Sequence, residues 1–277
     1  QEFKMKIKFA VVLALLFQGS IFSQDIYYKV EYGKGSATMS DVYVQMEIGR
    51  LSGEFEAKRV KSSVRDADME FSTNIDDYVY YGDYIKLLLG VLSFNADGIT
   101  IKVGENSEQV ITEIKKMSYS LNDWDLFIDF EEGPRTAPIL NANFNLQDAK
   151  ITLPRDIKRN MGTDERLIYN AFANAHGSIL IKKLSYDFSI DRNGMVSAEG
   201  NLDMPVGKAK VNVSLISGNN FRSKPYIEML ELDFTNLSPD LQNLMDDLVD
   251  NEEVPLKKTR TGYSLRMSGD IDNPRIY

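Results

Sequence analysis

The 277-residue chain reads as mainly β: a curved antiparallel sheet or a β-sandwich-like meander, with two or three short α-helices lending it some α+β character. Three observations predict this. Apolar and polar residues alternate with period two through most of the chain after residue 24, as strands with one buried and one wet face do. Glycine, asparagine and aspartate punctuate these runs as turn residues, and only two segments carry clear helical spacing. An apolar fraction of 43 % is ample for a core.

The first element is not part of the fold. Lys6 and Lys8 follow Met5, Phe9 to Phe17 form an apolar run, and Gly19, Ser20 and Ser23 come after it. That is the order of a secretory signal peptide over 1–23, with cleavage expected after Ser23. The run is shorter than the ~20 residues a membrane helix needs, and no later stretch is long enough either, so no transmembrane segment is expected in the mature chain. Residues 1–4 read as non-native or upstream sequence. The chain has no cysteine, which excludes a lipid-anchoring cysteine, disulfides, thiolate metal sites and a cysteine nucleophile. The expected localisation is periplasmic or secreted.

Residues 24–154 form an expected N-terminal β-rich unit. "DYIKLLLGVL", 83–92, fits a short buried helix or a strand. "DWDLFIDF" sets Trp124, Leu126, Ile128 and Phe130 against Asp125 and Asp129, and "NANFNLQDAKITLP" alternates through Ala142, Phe144 and Leu146. The densest aromatic stretch is "DDYVYYGDY". Tyr78, Tyr80, Tyr81 and Tyr84, with Leu88 just beyond, are the candidate ligand-binding residues.

Residues 155–277 form an expected C-terminal β-rich unit with helices near 164–175 and 239–250. The first has Thr163 as N-cap, acids at Asp164 and Glu165, and apolar residues at Leu167, Ile168, Ala171, Phe172 and Ala175; the acids suit the positive end of the helix dipole. The second has Ser238 as N-cap, Pro239 at N1, and a stripe of Leu241, Leu244, Met245, Leu248 and Val249. Between them, Leu184, Tyr186, Phe188 and Ile190 lead through Asp191–Gly194 into Val196, Ala198 and Leu202, a hairpin. Further strands run through Ala209 to Leu215, Tyr226 to Phe234 and Tyr263 to Met267. Gly200-Asn-Leu-Asp-Met-Pro205 and Gly269-Asp-Ile-Asp-Asn-Pro274 repeat one strand ending, glycine to relax or bulge the strand and proline to close it or mark an edge.

On the segments "KKLSYDFSIDRNGMVSAEGNLDMPVGKAKV" and "SLRMSGDIDNPRIY", roughly from Gly177 to Tyr277, the chain resembles the C-terminal parts of AsmA-like envelope proteins and of the type II secretion N-component. The resemblance implies a long curved antiparallel sheet whose apolar surface serves lipid handling or envelope assembly. The chain departs from that group in lacking a membrane anchor and in inserting two helices.

No catalytic, metal or cofactor motif stands out. The one histidine, His176, falls at the predicted end of the first helix, where a protonated imidazole suits the helix dipole, and no nucleophile elbow accompanies it. Asp123, Asp125 and Asp129 share one side of an extended segment, but their spacing is not that of a calcium loop. A net charge of −9, two units more negative once 1–23 are removed, disfavours nucleic acid as a partner. The functional expectation is a noncatalytic exported envelope protein that binds an apolar or lipid-like ligand or assists envelope assembly with a protein partner. The alternatives are a protein-interaction or adhesion module without a small ligand and, third, a secreted hydrolase. An uncovered apolar face would favour the first; a polar cleft of carboxylates would favour the last.

Overall fold

The computed structural model describes residues 26–48, 51–76, 79–104, 109–129, 133–134, 139–217, 225–251 and 254–277; the predicted signal peptide and Tyr78 lie outside them. One sheet of thirteen strands takes up most of these residues. It starts with four long strands, β1 (Ile26–Ile48), β2 (Leu51–Asp76), β3 (Val79–Val103) and β4 (Val110–Asp129). It continues through β6 (Ile139–Thr152), β7 (Ser178–Ile190), β8 (Met195–Met204), β9 (Gly207–Ile216), β10 (Tyr226–Thr235) and β12 (Gly262–Asp270). Each pairs antiparallel with the next in that order. The short β5 (Gly133–Pro134) lies beside β4, and β11 (Lys257–Lys258) and β13 (Asn273–Ile276) both pair with β12. The result is a meander in a single open sheet, and the segment 83–92 is strand throughout. The expected units 24–154 and 155–277 share this sheet, because β6 pairs with β7 along its length.

Among the described residues three helices break the strand order: α1 (Arg155–Asn160), α2 (Thr163–Phe172) and α3 (Pro239–Asp250). At the start of α2 the Gly162 N–H donates to Glu165 Oε2 at 2.9 Å, so the cap falls one residue before the expected Thr163. Ser238 caps α3 as expected, its Oγ accepting from the Leu241 N–H at 3.3 Å, with Pro239 at N1.

The β7–β8 hairpin turns where the sequence places it. Asp191 Oδ1 accepts from the N–H groups of Asn193 and Met195, each at 2.9 Å, and Gly194 takes φ 74°, an Asx turn. The two glycine-to-proline endings both lead into tight hairpins, but their prolines differ in place. Pro205 lies inside the turn that Met204 and Gly207 close, whereas Pro274 is already in the edge strand β13, opposite Gly269.

The long strands are interrupted by two transverse creases. One crosses Asp41, Lys58, Gly98, Lys115 and Asp148, and the other crosses Gly33, Asp66, Gly90 and Asp123; at these positions the pairing register skips a pair. On β1 to β4 the creases are eight residues apart. Positive φ falls on alternate strands: Asp41, Gly98 and Asp148 on the first crease, Asp66 and Asp123 on the second, all between 52° and 60°. Aspartate tolerates this left-handed conformation because its short side chain bonds locally. Each left-handed residue breaks the two-residue alternation, so the same face continues at i−2 and i+1 instead of i−1 and i+1.

Candidate functional site

With the creases counted in, the long strands turn most of their apolar residues to one side. The registers line them up in rows at right angles to the strands. One row runs Ala37, Ser62, Phe94, Tyr119, Phe144, Tyr186, Gly200, Val211, Leu232 and Leu265 from β1 to β12. The next on the same side runs Met39, Val60, Ala96, Met117, Leu146, Leu184, Leu202, Ala209, Phe234 and Tyr263, by the same registers.

The opposite side is mainly polar. Its row reads Ser36, Ser63, Ser93, Ser120, Asn143, Asp187, Glu199, Asn212, Glu231 and Arg266, joined by side-chain bonds such as Ser63–Ser93 at 2.6 Å and Ser120 to Asn143 at 2.8 Å. Ion pairs cross the strands on this side, Arg59–Asp97 at 2.6 Å, Lys102–Glu54 at 2.8 Å and Arg266–Glu231 at 3.1 Å among them. The exposed pairs among them add little stability, about 0–1 kcal/mol each; they mark this as the water side.

Among the described residues the apolar side is covered most fully in two places. At the first crease it covers itself. Ala57, Val60, Ala96, Ile99, Ile114, Leu146 and Ala149 form one buried cluster, with Ala96 and Ile99 1 % exposed. All its members are strand residues of the same face, so the crease must bend the sheet toward its apolar side. At the far end α2 and α3 cover the last residues of the second row. Ala171, Leu241 and Met245 bury Tyr263, with Phe172, Phe234 and Leu237 around them, and leave an apolar cavity of about 60 Å³ against Leu202 and Ala209. The Tyr263 hydroxyl donates to Asp246 Oδ1 at 2.7 Å, and Lys258 pairs with the same carboxylate. Lys258 holds the Asp246 carboxyl below the usual carboxylate range, helped by Tyr263, and burial pushes the Tyr263 phenol well above its ordinary value.

Between these covers the face lies open. Tyr32, Met39, Val44, Leu92, Tyr119 and Tyr186 are 36 % to 48 % exposed on it. Four consecutive strands put aromatic rings in one row, Phe94, Tyr119, Phe144 and Tyr186, and Tyr186 also stacks on Phe188 at 6.3 Å. Gly200, next in the row, contributes no side chain and ends the aromatic run.

Of the candidate residues named from sequence, Tyr84 and Leu88 are not on this face. Tyr84 is on the polar side, its hydroxyl donating to Glu70 Oε1 at 2.5 Å and its ring stacked on Phe127 at 5.3 Å. Leu88, also on the polar side, lines a surface cavity of about 660 Å³ with Asp66, Trp124, Asp125 and Arg192. Tyr80 and Tyr81 lie in β3 opposite Ile75 and Asn74. An inner-face aromatic row is invisible to a search for dense local clusters, because its members are 25 to 42 residues apart in sequence. Only the alternation within each strand carries the signal.

The other sequence candidates supply no reaction centre. α2 closes at Phe172, and Ala173 leaves it to bridge Ile179. His176 therefore sits in the exposed turn beyond, its N–H donating to Asn174 Oδ1 at 2.9 Å, and not at a helix end. Asp123 occupies a crease, which breaks the alternation expected to align it with Asp125. Among the described residues no three acidic or histidine side chains gather to hold a metal ion, and no helix is long and apolar enough to cross a membrane. No family model matches the chain, and no curated protein or solved structure matches it.

Proposed function

We propose that this chain is an exported envelope protein that binds an apolar or lipid-like ligand along the open apolar side of its sheet. The observation that carries the reading is the partial cover: apolar rows ten strands wide, protected at the first crease and under α2 and α3, and elsewhere half-buried to exposed. A contiguous exposed apolar surface costs solubility and is kept where something binds to it. A sheet that served only as a scaffold would close this face with a second layer. The aromatic row suits acyl chains or other flat apolar groups, since rings offer large contact area at little conformational cost, and the polar side keeps the complex in water. The signal-like segment 1–23 and the resemblance to AsmA-like envelope proteins support export and a lipid ligand.

Native mass spectrometry of the chain from Gln24 to Tyr277, purified from a bacterial periplasm without detergent, tests the reading. A bound mass of lipid size that solvent extraction removes is the expected result. A clean unliganded mass, together with no uptake of a fluorescent fatty acid, would overturn it in favour of a protein-interaction module.

A further inference from the structure

The sheet ends differently at its two sides. On the far side β11 and β13 cover β12 in two short pieces carrying Lys257, Lys258 and Pro274, residues that discourage further strand pairing. On the near side, among the described residues, β1 pairs with β2 alone. Its other edge presents 23 residues of strand without a proline, a template for another strand.

β1 is self-complementary about its midpoint, Ala37. The strand ends, Ile26 and Ile48, are equidistant from it, and so are the two crease positions, Gly33 and Asp41. A second copy laid antiparallel with Ala37 opposite Ala37 would put Gly35 opposite Met39 and Tyr32 opposite Val42 on the apolar side. On the polar side Ser36 would face Thr38, Lys34 would face Ser40 and Glu31 would face Tyr43, so no like charges meet.

The creases supply an independent constraint. Within the chain, positive φ alternates from strand to strand along each crease, and on β1 it falls at Asp41 and not at Gly33. The two-fold register sets Gly33 of each copy beside Asp41 of the other. Both creases, and the alternation along them, then pass into the second copy unbroken. A shift of two residues in either direction would break both.

We infer that the chain forms a two-fold dimer by pairing β1 with β1 about Ala37, so that both copies share one sheet and their apolar faces join into one. Such an interface is isologous and closed, so it uses up the free edge and stops at two. The inference rests on β1 alone and stands or falls separately from the ligand reading.

The chain has no cysteine, which makes the register directly measurable. Sedimentation of the unmodified full chain should give a dimer at micromolar concentration; a monomer there overturns the proposal. Under mild oxidation Ala37→Cys should form a covalent dimer, because cross-strand neighbours lie within disulfide reach, whereas Thr38→Cys, offset from its own copy, should crosslink about tenfold more slowly. Equal rates at the two positions, or a dimer in which neither crosslinks, overturns the register. If Ala37→Cys does not fold, a mixture of Ser36→Cys and Thr38→Cys chains reads the same pairing: the mixture crosslinks and each chain alone does not, and the reverse pattern overturns it.

Discussion

Gly200 sits between Tyr186 of β7 and Val211 of β9, and a Cβ built on it would lie 2.7 Å from Val211 Cγ1 and 3.6 Å from Tyr186 Cδ2. The missing side chain is what lets two large neighbours share that stretch of the apolar face. Val211 is branched at Cβ, so its Cγ1 methyl has no flexible arm on which to withdraw. Gly200→Val should therefore cost about 1–3 kcal/mol by overpacking, read as a lower urea midpoint with an unchanged slope. An unaltered midpoint would mean that Val211 and Tyr186 yield freely and that the glycine is not required for packing.

Gly269, the other half of the sequence echo, makes a different demand. Its φ is 110°, and a Cβ there would meet nothing closer than 3.7 Å. Space is available, so the penalty is backbone strain, about 1–3 kcal/mol for a residue held outside the favoured regions. Gly269→Ala should therefore destabilise nearly as much as Gly269→Val, whereas at Gly200 alanine should be clearly milder than valine. Thermal unfolding of the four variants separates the two causes.

The strands from Trp124 onward and both hairpin endings were legible because alternation and turn chemistry are local, whereas β1 and β2 were not singled out and 83–92 fitted a helix or a strand equally. α3 was legible in full, from Ser238 and Pro239 to its apolar stripe. The end of α2 was not. Ala173 and Ala175 continue the helical spacing, and what stops the helix is a distant event, the bridge from Ala173 to Ile179. The creases were missed for a related reason: Asp41, Asp66, Asp123 and Asp148 look like polar members of an alternating strand, and only pairing with Lys58, Gly90 and Lys115 shows that they break it. With the creases unrecognised, Asp123 and Asp125 were assigned to one side, and the aromatic row could not be assembled.

The creases make a prediction of their own. Asp148 has φ 52° and pairs with Lys115 at 3.2 Å in an exposed salt bridge, so its conformation matters more than its charge. Asp148→Gly should leave stability level or slightly higher, and Asp148→Asn should be neutral. Asp148→Val should lose about 1–2 kcal/mol, because a branched side chain is disfavoured in the left-handed region. If valine proves as good as glycine, the sheet does not depend on that bend.

The cover that α3 provides should depend on pH at both ends of the scale. Lys258 and Tyr263 lower the Asp246 pKa, so its contribution is present above the ordinary aspartate value and fades as pH falls through the depressed folded value. Lys258 and Tyr263 are both raised. Their contributions are complete below their ordinary values and are lost as pH climbs past about 10. Urea midpoints measured from pH 2 to 11 should hold level between these limits and drop on either side. Asp246→Asn should flatten the acid limb, and an acid limb of unchanged steepness would place its origin elsewhere.

The aromatic row gives the sharpest separation of binding from folding. Tyr119 and Tyr186 are 36 % and 40 % exposed on the apolar face, so little of the sheet's stability depends on their rings, while a ligand on that face would bury them. Tyr119→Ser and Tyr186→Ser should change the urea midpoint by less than about 1 kcal/mol equivalent, as partly exposed strand positions do. Each should weaken binding of a fluorescent fatty acid by roughly three- to tenfold, because a ring already more than half buried can add only part of the about 1.5–3 kcal/mol that burying a whole large apolar side chain contributes. Tyr84→Ser, on the polar side, serves as the control and should leave binding unchanged. If Tyr84→Ser abolished uptake and the row variants did not, the ligand would belong to the polar side, at the cluster first suggested by the sequence.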